Sequence, residues 1–479
     1  MQLLGASIGG DLDCHNGQFS NPDKDALTAD GVKVIGGVIL SDGFKAQGAV
    51  RLLRASIGGN LDCHKGQFSN PGKDALTADG VKVIGRVTLS DGFKAEGAVR
   101  LLGASIGGNL DCINGQFSNP GKDAISADGL KVEGGVFFRD GFKAEGEVRL
   151  LGASIGRNLD CINAQFSNPG KDAISADGLK VEGGVFFRDG FKAEGRISLV
   201  AAEIGGHLQW MGVQSPKTAT LDLRSAKVKT FLDEQTSWPP KGQLYLQGFV
   251  YEQLDHQAPA SAEDRIEWLG RQDEGFGDLP ATANRAEKRA FFAQPYEQLA
   301  SVLRKSGLED DADEILIEKN KRVAQWTRFW SLRGLWYRVI GPPIRYGYRP
   351  MIMFWWSLAV IIYGCYLFGL GNANGLITPT HKDAYVERNG KTTKDIREDY
   401  PRFSCFVYST EMFVPLVNLF QKEYWLPNAN RGPVIFPRGC VKLTSGGALR
   451  IYLWVHIALG WTLTTIWVAG LTGVIKKRG

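Results

Sequence analysis

The chain has 479 residues, enough for two or three domains, and a net charge of +5 that is too small for its length to indicate a nucleic-acid partner. Glycine is the excess, at 60 residues, and it recurs periodically rather than in linker-like runs. Met1 leads straight into repeat sequence without a basic region and an apolar core, so no signal peptide is predicted and a later apolar segment has to direct membrane insertion.

From Met1 the sequence repeats every 49 residues, marked by Cys14, Cys63, Cys112 and Cys161 and by Phe44, Phe93, Phe142 and Phe191. In the unit starting at Gly97, apolar residues fall in short alternating pairs: Val99 and Leu101, Ile106, Leu110 and Cys112, then Phe117. They continue with Ile125, Leu130 and Val132, Val136 and Phe138, and Phe142. Period-two patterning between Gly and Asp-Gly corners predicts very short strands, and no helical period is present. One such unit cannot bury its apolar face alone. The units are therefore expected to stack as a parallel, right-handed β-helix-like solenoid with two turns per unit, in ten or so turns over residues 1–254. The four repeat cysteines should form an inward ladder of small hydrophobes. The insert Gln67-Phe68-Ser69-Asn70-Pro71-Gly72-Lys73 and its copies should bulge from one corner of the rod as a line of turns. An uncapped first coil predicts either a truncated product or an end that pairs with another subunit.

Ala55-Ser56-Ile57-Gly58-Gly59 and Gly66-Gln67-Phe68-Ser69-Asn70 resemble degenerate units of the pentapeptide-repeat and related β-solenoid proteins, although the units do not follow in strict fives. The resemblance implies a rod-like solenoid. Acidic DNA mimicry, used by some of that family, is offset here by Lys45, Lys82, Lys131 and Arg139.

A helical connector is expected over 255–349. Short helices are predicted over Ala262–Arg271 and Ala283–Phe292. A third opens at Gln294-Pro295-Tyr296 and stops at Gly307, and a fourth runs from Asp310 to Phe329. The Gly307 pair resembles a single tetratricopeptide-type hairpin. Trp326, Phe329, Trp330, Leu332, Trp336 and Tyr337, mixed with arginines, form an amphipathic juxtamembrane segment.

Residues 350–479 read as a membrane domain. Met351–Gly371 carries no charge and Ile451–Gly473 carries only His456. Each reaches the ~30 Å of a hydrocarbon core, and both are studded with Trp and Tyr. Arg328, Arg333, Arg338, Arg345 and Arg349 precede the first span, and Lys476, Lys477 and Arg478 follow the second. The positive-inside rule then puts the solenoid and the C-terminus in the cytoplasm of an inner-membrane, multi-pass protein. Between the spans, Phe403–Leu426 is too short and too interrupted to cross. It is predicted as a broken re-entrant or interfacial helix over 403–421, with Glu411 at its middle and Pro415 ending the helical ladder. Cys405 and Cys440 fall in the segment predicted outside, where they are candidates for a disulfide, whereas the repeat cysteines should be reduced.

Catalytic signatures are missing. The Gly66–Lys73 segment departs from a phosphate loop in its glycine spacing and in Asp74 after the lysine. His15 and His64 become Ile113 and Ile162 in later repeats, and no metal-ligand spacing or nucleophile elbow is present. No catalytic, cofactor-binding or metal residue is predicted, and the chain does not read as an enzyme. The whole architecture resembles bacterial membrane proteins sometimes labelled membrane-associated oxidoreductases, but without a cofactor fingerprint.

Two functions fit this sequence. One is an interaction scaffold, with the lipid bilayer and a protein partner or a second copy as its contacts. The other is an oligomeric pore gated by the solenoid, because the span, short helix and span resemble a two-span potassium-channel pore module. Tyr408, Ser409, Glu411 and Pro415 would line that pore, yet Pro415-Leu416-Val417-Asn418 stands where the selectivity filter would be.

Overall fold

The computed structural model describes residues 1–272, 291–388, 391–436 and 443–471. The chain divides into two compact units, Met1–Lys319 and Asn320–Gly479.

The first unit is a parallel β-solenoid of about 11 turns followed by helices. Ser7 pairs with Lys33 and Lys33 with Ser56, so coils of 26 and 23 residues alternate and two of them make the repeat. Each coil lays down three strand lines. Two consist of two-residue strands such as Ser56–Ile57 and Leu61–Asp62, and the third is longer, such as Gln67–Thr77. Every apolar residue read as inward in the Gly97 unit is buried. Phe19, Phe44, Phe68, Phe93, Phe117, Phe142, Phe166 and Phe191 stack in a continuous ladder with centroids 5.1–5.7 Å apart. Adjacent rings at such spacings each add about 0.5–1.5 kcal/mol beyond area burial. Cys14, Cys63, Cys112 and Cys161 align in a second ladder, with Leu40, Leu89 and Phe138 on the coils between them; the last three cysteines are buried, whereas Cys14, on the first coil, is half-buried.

Asp42, Asp91, Asp140 and Asp189 turn the corners with positive φ, each followed by a glycine that is also positive. Outside the core, Arg51, Arg100 and Arg149 reach down one coil to Asp30, Asp79 and Asp128 at 2.6–2.8 Å. The other carboxylate oxygen of each Asp accepts the backbone N–H of Leu53, Leu102 or Leu151.

The insert differs from the expected corner. It sits inside the long strand line, and the pairing register breaks between Ser20 and Asp25 and resumes at Leu27. Because the strand continues on both sides, the extra residues are forced out of a face as a large bulge.

His64 occupies a lateral position with Nδ1 2.8 Å from Asp62 and Nε2 3.0 Å from Asp42. The hydrogen bond to Asp62 raises its pKa above 6.5, burial opposes the shift, and the charges of Asp62 and Asp42 add to it. A group whose folded value is raised stabilises fully below its unfolded pKa, and that contribution is lost as pH rises through the folded value. The unfolding midpoint of the wild type should therefore exceed that of His64→Ile by more at pH 5.5 than at pH 8.5. Thermal scans of the two proteins check this, and an unchanged difference would exclude a charged His64.

Helix α1 (Ala262–Leu269) opens on Ser261, whose hydroxyl accepts the Asp264 N–H. It packs on the last coils through Arg265, which is fully buried and forks onto Asp233 at 2.9 and 2.7 Å. The next helix, α2 (Gln294–Lys305), lies along the final strand, Val250–Leu254. Gln294 accepts the Gly248 N–H and donates to the Phe249 carbonyl, and Gln298 donates to the Tyr251 carbonyl at 2.6 Å. These side chains satisfy strand-edge groups that would otherwise be open. Helix α2 stops before Gly307, φ +81°, and α3 (Glu309–Trp326) resumes at the expected place but ends at Trp326, short of the expected Phe329. The predicted Ala283–Phe292 helix lies largely outside the described residues.

The amphipathic segment is not one helix. A single turn, α4 (Leu332–Leu335), passes into a π-turn over Trp336–Ile340 and a 3₁₀ segment over Pro342–Gly347. Pro342 and Pro343 deny the helix its donors, and Arg345 and Tyr346 adopt left-handed φ. Trp330 and Leu332 are almost fully exposed, at 89% and 90%.

In the second unit, α5 (Pro350–Ala373) and a later helix, Ser445–Leu471, are long and apolar enough to cross a membrane. Only 22% and 17% of their apolar windows are buried, so most of that apolar surface faces outward.

Candidate functional site

Between the two long helices lies α6 (Cys405–Phe413), followed by the single turn α7 (Gln421–Tyr424); the long helix Ser445–Leu471 is α8. The helix ends where Val414 turns extended, φ −90° and ψ 112°, the conformation that Pro415 imposes on its predecessor. Pro415 is half-buried, and the loop after it exposes Leu416 at 97%. Tyr408, Ser409, Glu411 and Phe413 are all buried in α6, against α5 on one side and α8 on the other.

Each predicted residue has a definite place. The Tyr408 ring packs edge-on against Phe368 of α5, 5.0 Å between centroids, within a core that includes Trp425, Leu449 and Leu453. Ser409 donates to the Ile361 carbonyl of α5 at 2.8 Å. Glu411 faces protein rather than water: its Oε2 accepts the N–H groups of Gln421 and Lys422 at 2.8 and 3.1 Å, at the start of α7. Lys422 Nζ lies 3.9 Å from the other oxygen. Cys405 sits 2.7 Å, sulfur to sulfur, from Cys365 of α5, whereas Cys440, its predicted partner, is outside the described residues.

Sequence reasoning missed the role of His456. Its Nε2 is 3.0 Å from the Ser409 carbonyl and 3.3 Å from the Ser409 hydroxyl, and Nδ1 is 3.3 Å from the Tyr452 hydroxyl. The tautomer with hydrogen on Nε2 fits both contacts: Nε2–H donates to the Ser409 carbonyl of α6, and Nδ1 accepts from Tyr452, one turn earlier on α8. Ser409 gives its own proton to Ile361, so the serine and histidine do not form a nucleophile–base pair. They tie α6 to both neighbours. The close approach requires Gly364, where an added Cβ would lie 2.5 Å from Ser409 Oγ and 2.6 Å from His456 Cε1. Gly460 of α8 is required in the same way against the Phe413 carbonyl. A lone histidine in an apolar helix is the only sequence signal of this cluster.

A cavity of about 1050 Å³ opens beyond the C-terminal end of α5, where Arg397, Arg402 and Arg431 meet Tyr400 and Trp425. Arg397 is paired with Asp399 and Arg431 donates to the Gly375 carbonyl. Among the described residues no group of three or more His, Cys, Asp or Glu side chains can hold a metal.

The second candidate surface is the line of bulges. Each is closed internally by an asparagine: Asn21, Asn70, Asn119 and Asn168 donate to the carbonyl four residues on at 2.7–2.8 Å. Lys122 and Lys171 reach back two coils to the carbonyls of Gly72 and Gly121 at 2.8 and 3.1 Å. The bulges thus form a regular, cross-linked ridge rather than independent loops.

Together these features define a β-solenoid continued into an apolar helical unit. The chain matches no known protein family, no curated protein and no solved structure.

Proposed function

We propose that this chain is an interaction scaffold anchored in the inner membrane by α5 and α8, with its solenoid and C-terminus in the cytoplasm. The observation that carries the reading is the bulge ridge. The same insert recurs on alternate coils, each bulge closed by its asparagine and joined to the next by lysines. A rigid, repeated protrusion of this kind suits an extended contact with a protein partner or a second copy, since its ordering cost has been met before binding. The outward apolar surfaces of the two long helices support the anchor. The orientation follows from the positive charges on both flanks, Arg328, Arg333, Arg338, Arg345 and Arg349 before α5 and Lys476, Lys477 and Arg478 after α8.

The pore reading draws no support from Glu411, whose carboxylate is engaged by backbone N–H groups inside the unit. A photo-crosslinking residue at position 71 or 120, on the exposed bulges, should give discrete, saturable protein adducts in native membranes; one at the exposed Ile35, away from the ridge, should not. Reconstituted liposomes should show no ion flux. Flux abolished by Glu411→Ala, with no adducts from the ridge, would replace the scaffold by the pore.

A further inference from the structure

We propose that Cys365 and Cys405 form a disulfide that staples α6 to α5. Two independent observations place the sulfurs together. The first is their 2.7 Å separation, with both residues half-buried and neither sulfur engaged with any other residue among the described contacts. The second is helix register: Ser409 donates to Ile361 across the same interface. The helices run antiparallel, so moving one turn back along α6, from 409 to 405, moves one turn forward along α5, from 361 to 365. The hydroxyl contact therefore brings the two cysteines abreast without reference to the sulfurs. Gly369 sits one further turn along α5, where a Cβ would lie 3.8 Å from that of Cys405, which leaves room for the bridge.

The solenoid cysteines offer no comparable pair. Cys63, Cys112 and Cys161 recur on every second coil, so about 9.6 Å of stacking separates neighbours, beyond disulfide reach.

The oxidant is a disulfide, either a small molecule or a disulfide-carrying oxidase. The Cys405 thiolate attacks one of its sulfurs, forming a mixed disulfide and expelling one thiolate. The Cys365 thiolate then attacks the Cys405 sulfur and expels the second. Two electrons pass from the cysteines to the oxidant, and the two thiol protons end on its two reduced sulfurs. On the proposed topology the pair lies toward the end of α5 that faces the oxidising side, but bond formation with added oxidant does not depend on that orientation.

The experiment uses full-length protein in native membranes, oxidised with glutathione disulfide, blocked with N-ethylmaleimide and mapped by peptide mass spectrometry. The expected result is a peptide linking residues 365 and 405 that persists in Cys440→Ala. In Cys365→Ala, Cys405 should instead carry glutathione or N-ethylmaleimide. A Cys405–Cys440 linkage in the wild type would overturn the proposal. So would full alkylation of Cys365 and Cys405 after oxidation, in protein whose buried Cys63 stays unmodified and thereby reports an intact fold.

Discussion

Replacing Arg265 by alanine is expected to destabilise the C-terminal coils of the solenoid by about 3–5 kcal/mol. Arg265 and Asp233 are both fully buried, and the guanidinium forks onto the two carboxylate oxygens. Asp233 also accepts the Trp238 indole N–H at 2.7 Å, and the guanidinium lies 5.2 Å over the Trp268 ring. Removing the cation leaves an uncompensated carboxylate in an apolar site, which costs far more than the pair contributes relative to a well-packed apolar core. Amide exchange in residues 227–254 is the appropriate measurement, because a stacked array opens locally rather than all at once. At ~1.4 kcal/mol per tenfold change, protection there should fall by about two to three and a half orders of magnitude. The double variant Arg265→Met/Asp233→Leu removes both charges and should recover much of the loss. Unchanged protection in Arg265→Ala would mean that α1 does not close the solenoid.

Gly97→Ala should cost about 3 kcal/mol or more, while Gly121→Ala should cost only about 1 kcal/mol. Both glycines have positive φ, +116° and +74°, so both substitutions meet backbone strain. They differ in what surrounds them. A Cβ at Gly97 would lie 2.5 Å from the Asn70 carbonyl oxygen and 2.6 Å from that of Lys73, both belonging to the bulge on the neighbouring coil. At Gly121, on the bulge tip, it would meet nothing within 4 Å. The comparison separates left-handed strain from the seating of the bulge ridge. Equal unfolding midpoints for the two variants would show that the bulge can move away at little cost, and the ridge would lose its rigidity as a binding surface. Gly48, Gly146 and Gly195 occupy the same place in the other repeats, each likewise close to two bulge carbonyls.

Much of the solenoid was legible because its signals are local. The pairs Leu110–Cys112 and Val136–Phe138 alternate within three residues, and Asp-Gly corners bend the chain wherever they stand. Repetition then turned each weak signal into a strong one, down to two coils in every 49 residues. The number of strand lines was not legible, since a two-residue strand holds too few side chains to define a face. Nor was the place of the insert. Asn-Pro-Gly signals a turn, but only the pairing of the strand beyond it shows that the turn interrupts a face instead of closing a corner.

In the helical unit the same division falls along sequence separation. Hydropathy marked the apolar stretches of the two long helices, although α8 starts at Ser445, before the expected Ile451, and Pro415 marked where α6 ends, because both signals act through the segment that carries them. The partners of Glu411 are backbone N–H groups, which every residue but proline possesses, so no residue type could announce them. Ser409, Ile361 and His456 meet across separations of 47 and 48 residues, and Cys365 and Cys405 across 40. Those meetings depend on how closely the helices approach, which Gly364 and Gly460 permit. Local patterning therefore decided which elements form, and the packing distance between helices decided which side chains share a site.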